Sequence, residues 1–225
     1  MASASGDLYG AAVFVDRGAA LAVRHSVIRD SGTIGLWLQN AEAEFIFDDS
    51  ARLLGFAENR FESNAAAPLR LSFSQVPMLD AATAYGHAEA ANGANEIEVR
   101  WGGLRDDATV RALSVPYHFV GDGTPRLFFT GNPAHVTFAA GVTVIVDAMV
   151  AIDFNGKVDL IGTSAAPIVF RGVTATAGVW YRITVGDMGG QSPVKPLAEE
   201  KMPCSAHRWR RPLEQTARRR RSALR

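Results

Sequence analysis

Hydrophobic and polar residues alternate over short stretches of this chain, and glycine, asparagine, aspartate, serine or proline separates each stretch from the next. Alternation with a period of two is typical of β-strands that bury one face, because successive side chains point to opposite sides. Long stretches with the spacing of an amphipathic helix are absent, so the pattern predicts an all-β protein. The predicted strands contain Val13-Val15, Leu36-Leu38, Phe45-Phe47, Leu69-Leu71-Phe73, Ile97-Val99, Leu127-Phe129, Val136-Phe138, Val142-Val144-Val146, Val158-Leu160, Ile168-Phe170 and Ile183-Val185.

The apolar positions also recur at fixed offsets along the chain. An offset of 33 residues places Leu21 on Leu54, Val23 on Phe56, Ile28 on Phe61, Leu36 on Leu69 and Leu38 on Leu71. Further along, Val136/Phe138 recur as Val158/Leu160 and then as Ile183/Val185, and Val144/Val146 recur as Ile168/Phe170. Repeats of strands and turns alone predict a parallel β-helix, whose successive coils stack about 4.8 Å apart. The alternative is an ordinary β-sandwich, which also has short strands separated by turns.

Three segments resemble a known family of repeat proteins. The sequence ENRFESN at 58–64 resembles the N-x-F-x-x-N coil signature, and NEIEVRWGGLRDDATVRALSVPYHF at 95–119 resembles a linker between two stacks of coils. Within 132–183, AGVTVIVD, GKVDLIGTSAAPIVFRGV and GVWYRI resemble the stack that follows such a linker. The family is the right-handed parallel β-helix repeat proteins of bacterial surfaces and secretions, which have the pectate-lyase-like superfold. The resemblance covers about residues 10–185 and implies coils at 1–74, a connecting segment at 75–125 and further coils at 126–185. The shift in composition after Val185 marks residues 186–225 as a separate tail.

Charge divides the chain into two parts. The whole sequence has 23 Lys and Arg against 23 Asp and Glu. Residues 186–225 contain ten of these bases and four of these acids, so they carry about +6 and residues 1–185 about −6. An acidic body argues against nucleic-acid binding by the coils, because phosphate contacts need clustered bases. The run Arg218–Arg221 suits an anionic partner, but we expect the tail to be a disordered appendage.

Cysteine and targeting signals narrow the classes of function. The lone Cys204 lies in the tail, so we expect no disulfide, thiol nucleophile or cysteine-ligated zinc in the body. The N-terminus lacks the basic and apolar regions of a signal peptide. The longest apolar stretch, 138–152, contains Asp147 and is too short to span a membrane. The family resemblance nevertheless implies an extracellular or cell-surface location.

Enzymes on this fold use paired carboxylates, or carboxylates that hold calcium beside an arginine. The candidate acids are Asp48-Asp49, Asp80, Asp106-Asp107, Asp147, Asp153 and Asp159. We interpret them as turn and surface residues, because adjacent residues of a strand point to opposite faces. The histidines of the body, His25, His87, His118 and His135, lack the spacing of a zinc site.

Asparagine and aromatic side chains have two interpretations each. The asparagines Asn40, Asn59, Asn64 and Asn155 either bind sugar or occupy left-handed turns and inter-coil ladders, and we expect the latter. The rings of Trp37, Tyr85, Trp101, Tyr117, Trp180 and Tyr181 either form platforms for sugars or pack against the coils, and we expect packing.

We therefore expect no catalytic, cofactor-binding or metal-binding residues. The predicted function is a non-catalytic β-helix module that serves as a stalk, adhesin or carbohydrate contact, with a polysaccharide or surface glycan as partner. The alternative is a polysaccharide lyase or glycoside hydrolase on the same fold. Open strand edges at the end of the coils would also favour edge-to-edge self-association.

Overall fold

The computed structural model describes residues 10–39, 51–86, 89–100, 102–121, 126–130 and 134–186. All of them belong to the first of two compact units, Met1–Gly189 and Gly190–Arg225. The predicted strand Phe45-Phe47 lies outside the described residues, as do Asn40, Asp48-Asp49, His87, Trp101 and the sequence from 187 onward.

The described residues form short β-strands and a single short 3-10 helix, Phe73–Met78, which confirms the all-β prediction. The first nine strands are β1 (Ala11–Val15), β2 (Ala20–Arg24), β3 (Val27–Arg29), β4 (Ile34–Leu38), β5 (Arg52–Ala57), β6 (Arg60–Glu62), β7 (Leu69–Ser72), β8 (Ile97–Arg100) and β9 (Gly102–Leu104). The next nine are β10 (Ala108–Val110), β11 (Tyr117–Phe119), β12 (Arg126–Thr130), β13 (His135–Phe138), β14 (Thr143–Val146), β15 (Val150–Phe154), β16 (Lys157–Leu160), β17 (Val169–Gly172) and β18 (Arg182–Val185).

Strand pairing repeats along the chain, and each named pair is parallel. A strand generally pairs with the third strand after it, which produces a seven-stranded sheet in the order β1-β4-β7-β8-β11-β14-β17. The other sheets are β9-β12-β15-β18, β10-β13-β16, β2-β5 and β3-β6. The direct pairing of β7 with β8 departs from this rule, because the 3-10 helix and loops occupy the intervening chain. Stacked parallel sheets of this kind are compatible with a β-helix-like solenoid, whereas the strands of a β-sandwich pair antiparallel.

The core consists of apolar side chains that stack in register from strand to strand. One column of the seven-stranded sheet contains Leu36, Leu69, Ile97, Tyr117 and Val144, and each is at most 1% exposed. Full burial of an aliphatic side chain of this size stabilises the fold by about 1.5–3 kcal/mol. These ladders explain why aliphatic residues recur at fixed offsets in the sequence.

The offset of 33 residues is correct for most of the pairing of β2–β4 with β5–β7. Val23 pairs with Phe56 and Ile28 with Phe61, as predicted. The predicted match of Leu21 with Leu54 is wrong, because Leu21 pairs with Leu53 and the register shifts between Leu21 and Ala22. This irregularity turns Leu54 outward, where it is 67% exposed.

Two of the later alignments are also wrong. Val144 pairs with Phe170 rather than with Ile168, a difference of two residues. Ile183 pairs with Ile152 in the four-stranded sheet and not with the column of Val158. A slip of two residues leaves every side chain on its original face, so hydrophobic alternation alone does not separate the two registers. The 22-residue match of Val136 with Val158 is correct.

Buried amides connect turns that lie between neighbouring parallel strands. The side chain of Asn59 accepts a hydrogen bond from the Ser26 N–H at 3.1 Å and donates one to the Val23 carbonyl at 3.1 Å. The residue before it, Glu58, has the left-handed conformation, with φ of 51°. Asn59 therefore satisfies backbone groups of the preceding coil that would otherwise be buried without partners.

A second amide ladder lies at the next turn. Asn64 accepts a hydrogen bond from the Ser31 N–H at 3.2 Å, and its amide nitrogen donates to Asn92 Oδ1 at 2.8 Å. Asn92 in turn donates to the carbonyls of Phe61 and Tyr85. The predicted ladder role is confirmed for Asn64. The left-handed residue is again the neighbour, Ser63, and not the asparagine itself.

Candidate functional site

A single row of side chains crosses the outward face of the seven-stranded sheet. Its members are register partners from strand to strand, and they alternate along each strand with core residues. From β1 to β17 the row contains Phe14, Trp37, Arg70, Glu98, His118, Ile145 and Arg171. Aromatic, basic and acidic groups therefore follow one another at the spacing of the strands.

The aromatic end of this row is partly covered by its own neighbours. The rings of Phe14 and Trp37 meet edge to face, with centroids 5.3 Å apart and an angle of 83°. The Arg70 guanidinium lies 5.0 Å from the centroid of the Trp37 ring, at cation-π distance. Arg70 also donates from Nε to Glu98 Oε2 at 2.6 Å. Trp37 packs on the sheet as expected, and Arg70 occupies part of the surface that a sugar would use.

His118 lies between two carboxylates that flank the neighbouring strands β8 and β14. Its Nδ1 is 2.5 Å from Glu96 Oε1, and its Nε2 is 2.8 Å from Asp147 Oδ1. The second oxygen of Asp147 accepts a hydrogen bond from the Gly121 N–H at 3.0 Å. Burial by itself lowers the pKa of His118, but the hydrogen bonds and negative charge of Glu96 and Asp147 outweigh it and raise the pKa to about 9.

This arrangement makes His118 a structural cation. Both ring nitrogens are engaged, and at neutral pH the ring holds its second proton, so it is a poor general base. Sequence reasoning named His118 and Asp147 separately and missed Glu96. The separations of 22 and 29 residues match no local motif, and only the pairing of β8, β11 and β14 brings the three groups together.

A groove lies over the outward sides of β10 and β13. Its volume is about 470 Å³, and it is lined by Pro77, Asp107, Ala108, Thr109, Arg111, His135 and Thr137. Thr109 and Thr137 are register partners, so their side chains lie side by side at the spacing of neighbouring strands. No side-chain hydrogen bond of either hydroxyl occurs within the described residues. The lining is mainly polar, unlike that of most sites for drug-like ligands.

One side of the groove is held by His135. The backbone N–H of His135 donates to Asp107 Oδ1 at 2.7 Å, and the ring Nε2 of His135 lies 2.8 Å from Asp159 Oδ2. Lys157 approaches the same Asp159 oxygen at 3.3 Å. The hydrogen bond with His135, together with the nearby Lys157 ammonium, lowers the pKa of Asp159. Asp159 is therefore ionised over a wide pH range.

Arg111, at the other end of β10, is anchored through the backbone. Its Nη1 donates to the Pro77 carbonyl at 2.6 Å, and its own carbonyl accepts from Tyr117 Oη at 2.7 Å. Burial raises the pKa of the Tyr117 hydroxyl well above its ordinary value. Arg111 also lines the groove, together with Thr109 and Thr137.

The other candidate acids do not form one site. Asp80 accepts hydrogen bonds from the Glu58 N–H at 3.1 Å and from the Thr83 hydroxyl, as expected of a turn residue. Asp153 is buried, with Arg182 Nε at 3.6 Å. The described residues contain no group of three or more histidine, cysteine or acidic side chains arranged to hold a metal ion.

The remaining histidine and aromatic candidates lie apart from the groove or in the core. His25 is exposed, 3.4 Å from Glu58. The Tyr85 ring packs parallel to Phe61 in the core, with centroids 6.2 Å apart, and is not a surface platform. Trp180 packs against the core, and the Tyr181 ring lies 5.2 Å from the Arg182 guanidinium.

Comparison of the chain with models of protein families, with curated proteins and with solved structures found no match. Within the part of the chain that the structure describes, no helix is both long and apolar enough to cross a membrane.

Proposed function

We propose that this chain is a right-handed parallel β-helix module of a bacterial surface or secreted protein, and that it contacts a glycan without cleaving it. The groove over β10 and β13 supports this proposal, because it offers hydrogen-bonding side chains that the fold does not use. The charged row of the seven-stranded sheet supports it less, since Glu98 and His118 are already engaged by neighbours.

The chemistry of the groove suits sugar hydroxyl groups. A hydroxyl both donates and accepts hydrogen bonds, and Thr109 and Thr137 present two such groups in register. Asp107 adds an acceptor and Arg111 adds donors at opposite ends of β10. An apolar ligand would leave these polar groups without partners, at a cost of about 1–3 kcal/mol for each buried group.

The state of the carboxylates favours contact over cleavage. A general acid of a glycoside hydrolase needs a raised pKa, whereas His135 lowers the pKa of Asp159. Asp107 Oδ1 accepts the backbone N–H of His135, so the second oxygen of this carboxylate is the one left to contact a ligand. The alternative function, a polysaccharide lyase or glycoside hydrolase, has one observation in its favour, namely that Asp107, His135 and Arg111 lie on one groove.

Glycan binding by the full chain tests the proposal. Titration calorimetry with neutral and uronate-containing oligosaccharides should show binding that weakens about fivefold for each hydroxyl lost in Thr109→Val and Thr137→Val. Thr143→Val is the matched control, because Thr143 lies on the seven-stranded sheet, away from the groove. Absence of binding to every glycan, or equal weakening by the control, would contradict the proposed contact.

The catalytic alternative is tested separately. The same polysaccharides are incubated with the chain, with and without calcium, and new reducing ends or unsaturated products are measured. We expect none. Product formation that is lost in Asp107→Asn would establish the enzyme in place of the non-catalytic module.

A further inference from the structure

Exposed apolar side chains concentrate at the last strands of the described stack. Leu160 of β16 is 42% exposed and Val185 of β18 is 59% exposed. Their register partners one coil earlier, Phe138 and Phe154, are each 1% exposed. Side chains of the same stacked columns are therefore buried one strand earlier and exposed at this end. Ile161 and Val173 are exposed here as well.

Three strand edges are open at the same place. The strands β16, β17 and β18 each end a different parallel sheet, and within the described residues each pairs on one side only. An open edge presents backbone N–H and C=O groups that favour the addition of another strand. Apolar side chains and strand edges together match the surface that one coil offers to the next.

The first strands form the complementary end. β1 ends the seven-stranded sheet on its other side, and β2 and β3 are paired only with β5 and β6 in the described part of the chain. The interior side chains of β2 are partly rather than fully buried, as for Leu21 and Val23, whereas Val15 of β1 is buried. Both ends of the described stack therefore lack the cover that middle coils receive from their neighbours.

We propose that the chain associates with a second copy of itself head to tail, with strands β16–β18 of one copy against strands β1–β3 of the other. This orientation keeps all strands parallel, as they are within each copy. It also brings Arg171, at the end of the outward row, towards Phe14 of the second copy, a pairing like that of Arg70 with Trp37. A tail-to-tail arrangement would instead place Arg171 of one copy opposite Arg171 of the other, and the repulsion between these like charges disfavours it.

The two surfaces differ, so the contact is heterologous and each copy keeps one end open. Association should therefore continue beyond the dimer as concentration rises. The mass of the full chain is measured by sedimentation velocity and light scattering over a hundredfold range of concentration. We expect an average mass that rises past that of a dimer, whereas a monomer at every concentration would overturn the proposal.

Blocking variants identify the two ends. Charge is placed at the last strands by Leu160→Lys and Val185→Lys. It is placed at the first strands by Leu21→Lys or Val23→Lys. Circular dichroism selects the variants that fold. Each should weaken association at least tenfold. Met78→Lys is the control, because Met78 is exposed at the end of the 3-10 helix between β7 and β8, which lie in the middle of the seven-stranded sheet. Equal weakening by the control would overturn the proposal, since the contact would then be non-specific.

Mixing two blocked variants tests the orientation. A chain blocked at its last strands keeps an intact binding surface at its first strands. A chain blocked at its first strands keeps the surface at its last strands. An equimolar mixture should therefore form one-to-one dimers and nothing larger. If the variant blocked at its first strands dimerises alone, the contact is tail to tail and the head-to-tail proposal fails. Glycan binding of the groove variants is read in a separate assay, so the two proposals fail independently.

Discussion

Replacement of His118 by glutamine removes the cation between Glu96 and Asp147 while keeping a polar side chain of similar size. The ring nitrogens lie 2.5 Å and 2.8 Å from the two carboxylates, and the His118 side chain is 13% exposed. The glutamine amide cannot carry the positive charge that both carboxylates face. We therefore expect a lower free energy of unfolding for His118→Gln.

The magnitude follows from the pKa of His118. A rise from 6.5 to about 9 corresponds to about 3 kcal/mol of preferential binding of the proton by the folded state. Because Glu96 and Asp147 are both partly exposed, solvent screening reduces this contribution, and we expect a loss of about 2 kcal/mol at pH 6.

The sign of the pH dependence is fixed by the same shift. Below pH 6.5 the imidazole is charged in both the folded and the unfolded chain, so the stabilisation is fully present. As the pH rises from 6.5 through about 9, the folded state also loses this proton and the stabilisation disappears. The wild-type chain should therefore lose stability over this window, and His118→Gln should lose about 2 kcal/mol less.

Urea unfolding followed by circular dichroism at pH 6, 7.5, 9 and 10 measures both effects. His25→Gln is the matched control, because His25 is exposed and 3.4 Å from Glu58, and its replacement should change stability by less than about 0.5 kcal/mol. A parallel loss of stability by the wild-type chain and His118→Gln between pH 6 and 10, or an equally large effect of the control, would refute the role of His118 as a structural cation.

Five further substitutions test the packing of the strands by urea unfolding. Asn64→Ala leaves the Ser31 N–H without its buried partner and should destabilise the fold by about 1–3 kcal/mol. Phe138→Ala should cost about 3–5 kcal/mol, whereas Leu160→Ala, one coil later in the same column, should cost less than half as much because Leu160 is 42% exposed. Leu53→Lys should prevent folding while Leu54→Lys is tolerated, since the register shift buries the first and exposes the second; equal effects of this last pair would contradict the observed register.

The strands and their repeat were predictable because both depend on local pattern. Alternating aliphatic residues identify β1, β4, β7, β8, β12, β13, β14 and β16–β18, whereas β9, β10, β11 and β15 were not among the predicted strands. The 33-residue offset correctly pairs Leu36 with Leu69. The parallel stacking follows from the repeat itself. The irregularity at Leu54 was not predictable, because Leu53 and Leu54 are both leucine and either one fits the alternation.

The candidate site was harder to predict from the sequence than the strands were. The individual residues His135, Asp107 and Asp159 were recognised, but the groove depends on how β10 and β13 align across a gap of 28 residues. Its threonines have no signature at all, because exposed threonine is common in strands. The length of each coil varies along the chain, and so the residues that share a face cannot be read from one fixed period.

The failed alignments indicate what fixes the register of the coils. Hydrophobic alternation allows slips of two residues, so another interaction must select one register. Between β8, β11 and β14 the charges of Glu96, His118 and Asp147 do so, because a slip would separate the imidazolium from a carboxylate. Between β14 and β17 the outward partners are Ile145 and Arg171, which form no ion pair with each other, and here the sequence-based register was wrong by two residues. The contacts of His118 with Glu96 and Asp147 therefore favour the observed alignment of β8, β11 and β14, which the apolar core alone leaves open.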